Sequence, residues 1–379
     1  MGVGVRHSLV HGSAMRLVIN AVGLVMGGAK THLGQFLPAL VTARPDWEVH
    51  VFVSESADPP SVGDVVFHRV ERGGAKRLLW DARGVARAAV DLDADVIVNL
   101  ANYGPIGCRV PSILYQRNAL YFDRRWISRM GLRWRSAAWV RRMLAFVEMR
   151  SAAVVIVPSV AMREFLLDWS WCPRNSRVEV VPHGIDSDQL AFKPAPVSGM
   201  LRLVALGHGA PHKNQEMLIR VVDVLVRSGL DVVLEASIAD DDDPEYVSML
   251  RGLIRRSGLQ RRIRLVGRVA APEFLSTGGI AVSCSITESF GFPVAEAMAA
   301  GLPIVSSAIP AAVELLGGNG LVFDPDSVSS AVAAIREIVG MGDAERGEML
   351  CRARARVEAF TWEENVRQVV GVIEGVIGV

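Results

Sequence analysis

The sequence predicts an α/β protein of two doubly wound parallel-sheet domains facing each other across a cleft, and three observations predict it. Its 379 residues exceed what one hydrophobic core usually serves, so two domains is the natural division. Short β-branched runs alternate with helix-like stretches, the cadence of parallel sheets covered on both faces. The series lapses across a Pro-containing, weakly periodic stretch, Asp186 to Gly199, and begins again at Leu201.

In the first series, residues 15–20 (MRLVIN) read as a strand, followed by a glycine-rich turn from Gly23 to Gly28 and a helical pattern from Lys30 to Ala43. Trp47 to Val53, Asp95 to Leu100, Ser112 to Tyr115 and Ala153 to Pro158 are further strands. In the second, the strand Leu201 to Leu206 leads through a turn, Gly207 to Pro211, into a helix from Gln215 to Ser228. Strands follow at Val232 to Ala236, Ile263 to Val266, Gly279 to Ser283 and Pro303 to Ser306. The last helix, Trp362 to Ile377, carries Val366, Val370, Ile373 and Ile377 at helical spacing. The expected division is a leader over 1–14, a first domain over 15–190, a second over 191–360, and a helix over 361–379 that crosses back to the first. Ligands of such sheets sit beyond the carboxyl ends of the strands.

Half the residues are apolar, 21% are charged and the formal net charge is +1, a balance that selects no partner by itself. Cys108, Cys172, Cys284 and Cys351 lie far apart with no C-x-x-C pair, which argues against zinc or disulfides and fits a reducing compartment. No apolar run reaches the roughly 18–20 residues that span a bilayer, and the first fourteen residues lack the apolar core of a secretory signal. A cytoplasmic location is expected.

The most informative segment is TESFGFPVAEAMAAG, Thr287 to Gly301. Gly291-Phe292-Pro293 reads as a turn that starts a helix, with proline near the first position, where its missing N–H costs nothing. The free N–H groups and positive dipole end of that helix suit an anion such as a diphosphate. Glu288 on the turn and Glu296 in the helix flank that position, and carboxylates accept strong hydrogen bonds from sugar and ribose hydroxyls. The bland alternative is a loop charge and a solvated helix residue.

Glu288 to Val305, E-S-F-G-F-P-V-A-E-A-M-A-A-G-L-P-I-V, resembles the E-x7-E motif of retaining glycosyltransferases of glycosyltransferase family 4. The resemblance implies the GT-B architecture, two Rossmann-like domains across a cleft, with a UDP- or GDP-type sugar as co-substrate and neither cofactor nor metal. It makes Glu288, with Gly291, Phe292, Pro293 and Glu296, part of a donor site. Gly207 to Asn214, GHGAPHKN, is similar to the family's G-R-x-x-P-x-K-N/G loop, whose Arg and Lys neutralise the donor diphosphate. Lys213 matches the Lys and is expected to act in catalysis with Glu288, whereas His208 stands at the Arg position. An imidazole stabilises a leaving diphosphate less than a guanidinium does, so Arg117 or Arg268 is expected to compensate. The same turn offers a rival: Gly207-x-Gly209 suggests a dinucleotide loop with Glu235 on a ribose, but His212 occupies the third glycine position.

Gly27-Gly28-Ala29-Lys30 resembles the family's G-G-A loop, close to bound donor or acceptor, and reads equally as a plain turn. Arg117 and Asn118 follow a strand where family members place a loop near the transferring sugar. Arg268 and Val269 fall where the family packs the nucleotide base, His183 resembles a turn residue before the linker, and no role goes to Glu314. Between Arg109 and Arg150 stand ten arginines against Asp123 and Glu148, with Trp126, Trp134 and Trp139 among them. That stretch suits an anionic membrane surface or phosphorylated acceptor, and equally a solvated face over buried tryptophans. No nucleic-acid motif accompanies it. The run Asp240 to Asp243 reads as a solvated loop rather than a metal site.

The reading is a cytoplasmic retaining hexosyl-type transferase, peripheral at the membrane through residues 109–150, that passes a sugar to a glycan, lipid-linked or small-molecule acceptor. The alternatives are a nucleotide-sugar epimerase of the same fold, a dinucleotide-dependent oxidoreductase and a non-catalytic nucleotide-sugar-binding protein.

Overall fold

The computed structural model describes residues 14–24, 28–71, 75–173, 176–194 and 199–378. The leader expected over 1–14 falls, but for Ala14, outside them, and so does Gly27.

Among the described residues thirteen strands form two sheets, every pairing parallel. The first contains β1 (Arg16–Asn20), β2 (Glu48–Ser54), β3 (Val66–Val70), β4 (Val96–Asn99), β5 (Ser112–Tyr115), β6 (Val154–Val157) and β7 (Val178–Val180). The second contains β8 (Leu201–Ala205), β9 (Val232–Ala236), β10 (Ile263–Leu265), β11 (Ile280–Ser283), β12 (Ile304–Ser307) and β13 (Leu321–Phe323). Their orders are 3-2-1-4-5-6-7 and 10-9-8-11-12-13. Each sheet therefore reverses direction once, between β1 and β4 and between β8 and β11, and crevices open beyond the strand ends at such switch points.

The central strands are buried on both faces because helices cover both, so they read as unbroken apolar runs. The strands that no run announced, β3, β7 and β13, are all outermost in their sheets and half-exposed. With one side unpaired they need no continuous apolar stretch.

The helix Trp362–Ile377 returns to the first sheet. Trp362, Val366, Val369 and Ile373 join Leu17, Ile19, Phe36, Leu37 and Leu40 in one buried cluster. Its start lies beside the outward connection: Ile185 N donates to Phe360 O at 2.7 Å, and Asn365 Nδ2 donates to Pro182 O at 2.5 Å. Gly184 fits there because a Cβ on it would stand 2.5 Å from the Trp362 ring.

The two sheets are also pinned across the cleft. Ser159 caps the helix Val160–Leu167 and donates from Oγ to Ser289 O at 2.6 Å. Glu314, to which the sequence assigned no role, accepts from Val160 N and Ala161 N, both at 2.8 Å. Arg129 meets Asp326 at 2.7 Å.

Candidate active site

The loops after β8 and β11 and the loop after β5 converge on one cleft of about 770 Å³. From the second sheet it is lined by His208, His212, Lys213, Arg268, Val269, Glu288, Gly291, Phe292, Pro293 and Glu296; Arg117 and Asn118 line it from the first.

Lys213 ends a short 3-10 turn, Pro211–Lys213, stopped by Asn214 in the left-handed region at φ 54°. Its Nζ lies 2.6 Å from Glu288 Oε1, with 12% and 18% of the two side chains exposed. Ser285 Oγ donates to the same oxygen at 2.8 Å. Burial works to raise the Glu288 carboxyl, but Lys213 and Ser285 outweigh it and hold it below the usual range. Eight residues on, Glu296 carries no such partner among the described residues, and burial pushes it up to about 7 against the pull of Lys213. Two carboxylates in one wall therefore differ in protonation near neutrality, because Lys213 and Ser285 bond to Glu288 whereas burial governs Glu296. Between them Gly291, at φ 103°, turns the chain into the helix Phe292–Ala300 with no side chain capping its first N–H groups. Pro293 sits in the first turn, leaving the N-terminus directed at the cleft.

The loop is buttressed from behind. The acidic run expected as solvated divides: Asp240 and Asp241 are exposed, whereas Asp242 Oδ2 accepts from Gly209 N at 2.8 Å and Ala239 N at 2.9 Å, and Asp243 caps the helix Pro244–Arg256. Arg268, a candidate for the missing family arginine, reaches the rim but pairs with Asp241 and Asp242 at 2.8 and 3.0 Å. His208 is kept below the ordinary imidazole value by burial and by Lys213, and His212 is pulled down to about 3 for the same reasons, so both are neutral. Glu235, the ribose carboxylate of the dinucleotide alternative, is instead occupied by Arg202 and Arg264 at 2.5 and 3.2 Å.

On the opposite wall Asn118 Oδ1 accepts from Leu120 N at 3.0 Å, starting a 3-10 turn. Arg117 N donates to Asn102 Oδ1 at 2.7 Å, and burial pulls its guanidinium down to about 10, still a cation at neutral pH. Gly28 opens the helix Gly28–Ala43. Among the lining residues that the sequence reading did not assign to the site are four with polar side chains of note. Asn102 holds the left-handed φ of 67°, Thr287 has a buried hydroxyl without a partner, and His212 meets Trp126 edge-on at 5.9 Å. The fourth is His183, expected as a structural turn residue, which is 2% exposed and stacks on Phe292 at 5.2 Å in the cleft wall. Thr287 and His212, within the two quoted motif segments, had a signal that pointed to them.

Comparison with known proteins decides the family of this arrangement. Residues 26–189 match the family model described as Glycosyltransferase Family 4, and residues 186–354 match Glycosyl transferases group 1. The chain belongs to the GT-B-fold glycosyltransferases. It resembles sucrose-phosphate synthase of Thermosynechococcus elongatus with a TM-score of 0.77 at 17% identity, over 96% of this chain and 99% of that one. HepE of Anabaena, solved with UDP-glucose, gives a TM-score of 0.71 at 19% identity over 95% and 100%.

Among curated relatives, the GPI3 subunit of the yeast phosphatidylinositol N-acetylglucosaminyltransferase is 26% identical over 54% of this chain and 47% of its own length. An MMP alpha-(1->4)-mannosyltransferase of Mycolicibacterium hassiacum is 27% identical over 65% and 61%. The chain spans about half the length of the curated relatives it matches. No described helix is long and apolar enough to cross a membrane, and no group of His, Cys, Asp and Glu side chains among the described residues could hold a metal ion.

Proposed function

We propose that this GT-B glycosyltransferase moves a sugar from a UDP- or GDP-type donor to an acceptor hydroxyl with retention of anomeric configuration and without a metal. One observation carries the reading: Lys213, Glu288, Glu296 and the uncapped N-terminus of the helix Phe292–Ala300 meet in one cleft between two sheets. The donor diphosphate lies on that N-terminus and on Lys213, two positive elements that take the place of a metal. Glu288 holds the donor sugar and Glu296 the ribose. The bond from the anomeric carbon to the diphosphate oxygen breaks, the acceptor oxygen attacks from the same face, and its proton passes to a departing phosphate oxygen. The products are a nucleoside diphosphate and the glycoside. Lys213 and the helix dipole stabilise the anion as it grows, which is usually the largest contribution to rate.

The acceptor is lipid-linked or a glycan, and the protein works at a membrane surface. The helix Leu132–Ser151 exposes Leu132, Trp139 and Val140 beside Arg133, Arg135 and Arg141, a combination that suits anionic lipid. The rest of the arginine-rich stretch supports the fold: Trp126 is buried, and Arg142 lies buried 3.5 Å over the Trp169 ring.

The test is a thermal-shift screen of UDP- and GDP-sugars, followed by transfer from the best donor with the product's anomeric configuration read by NMR. Stabilisation by nucleoside diphosphates and an unchanged configuration are expected. An inverted product ends the same-face mechanism; an isomerised donor without acceptor points to an epimerase; and binding with no turnover on any acceptor points to a sensor.

A further inference from the structure

Among the cations that line the cleft, one has no ion-pair partner among the described residues. Lys213 is matched by Glu288, and Arg268 by Asp241 and Asp242. Burial keeps His183, His208 and His212 neutral. Arg117 is left, half-buried in the first-sheet wall, with no acidic partner among the described residues and with a buried Nε that finds no acceptor. Beside it, His183 Nδ1 is also buried without a partner, and its ring lines the same cleft.

Arg117 also stands on the wall opposite Lys213: it follows β5 of the first sheet, whereas Lys213 and Glu288 follow β8 and β11 of the second. A cation removed from water without a counter-ion is costly to keep. A guanidinium is also the side chain that grips phosphate or carboxylate through a two-pronged hydrogen-bond fork.

We propose that Arg117, with His183 beside it, forms a second anion subsite on the first-sheet wall, separate from the diphosphate position at Lys213, for a phosphate or carboxylate on the acceptor or on the transferred sugar. The proposal rests on the glycosyl-transfer reading for what carries the anion. The subsite itself does not depend on that reading. The neutral imidazole of His183 adds a hydrogen bond without competing for the anion's charge.

The experiment is calorimetric titration of the full chain with UDP or GDP, then with inorganic phosphate on protein saturated with the nucleotide. Phosphate binds with the nucleotide in place. R117M weakens phosphate at least tenfold and leaves the nucleotide within twofold, whereas K213A does the reverse. R117K keeps the charge but loses the fork and falls between, and it carries the comparison if R117M does not fold. A UDP-uronic acid bound tenfold more tightly than UDP-glucose, with the preference abolished in R117M, places the anion on the sugar. Phosphate retained alongside both donors places it on the acceptor.

Phosphate that competes with the nucleotide, or R117M that weakens the nucleotide as K213A does, overturns the separate subsite. A chain that binds nucleotide but neither phosphate nor uronate overturns the subsite alone. A chain that binds phosphate through Arg117 but no nucleoside diphosphate overturns the donor reading alone, and one that binds neither overturns both.

Discussion

Replacing Lys213 by methionine removes a cation with two separable effects. In the free protein its ammonium lies 2.6 Å from Glu288 Oε1, in a wall where the two side chains are 12% and 18% exposed. The substitution leaves the carboxylate with only Ser285 Oγ at 2.8 Å. Stranding a buried charge in this way costs about 3 kcal/mol, which at roughly 2–4 °C per kcal/mol lowers the melting temperature of this domain by about 6–12 °C. Separately, the loss of a positive group aimed at the leaving diphosphate lowers turnover by about 10²–10³, or roughly 3–4 kcal/mol. The double variant K213M/E288Q distinguishes the two. It contains no stranded charge, so most of the melting temperature returns while turnover stays low. Scanning calorimetry and single-turnover transfer measure the pair of effects. A double variant melting no higher than K213M, or K213M turning over within threefold of the parent, refutes the reasoning.

Burial raises Glu296 from its ordinary value of 4.5 to about 7, so the folded chain holds more protons than the unfolded one between those values, and the stability its neutral form contributes is lost as pH rises through 7. Nucleoside diphosphate affinity moves the other way, because the carboxylate form accepts from hydroxyls: it rises about tenfold from pH 6 to 8, and in E296Q the calorimetric profile is flat; a step persisting in E296Q assigns it elsewhere. E314A frees Val160 N and Ala161 N, costs about 1 kcal/mol of helix capping and speeds amide exchange over Val160–Leu167; unchanged exchange shows that the cross-cleft cap is dispensable. L132S/W139S abolishes co-sedimentation with phosphatidylserine vesicles without lowering the melting temperature, and retained sedimentation removes that helix from the membrane contact.

The legible part of this protein was the part whose local chemistry is self-contained. Gly291, Pro293 and the apolar run after them specify a turn and a helix start within one stretch of chain, so that helix start and the two carboxylates flanking it could be read directly. The central strands were readable because burial on both faces makes them uniformly apolar, whereas β3, β7 and β13 needed their neighbours to be recognised. What could not be read depends on side chains far apart in sequence. Glu314 caps a helix that starts 154 residues earlier, and Asp242 looks like a solvated aspartate until Gly209 N is brought to it. His183 and Arg117 come to line one cleft only after β5 and the connection at Gly184 are both in place. The two arginines offered for the missing family cation were equivalent as letters. In three dimensions one is neutralised by two aspartates and the other is not.

The cross-cleft pins bear on how binding and closure are linked. Ser159 donates to the carbonyl of Ser289, the residue directly after Glu288, so the first domain grips the same loop that carries the Lys213 partner. Separating the sheets would break that bond, the Glu314 cap and the Arg129–Asp326 pair together. A donor that draws Lys213 away from Glu288 alters the loop at the point where the first domain holds it. If the opened cleft lacks these pins, such a donor interacts differently with the open and closed arrangements. Differential interaction of this kind is the condition for a ligand to shift a conformational equilibrium. A second anion held by Arg117 adds to it from the other wall, because a charge left unpaired in the closed cleft is stabilised only when the substrate is complete.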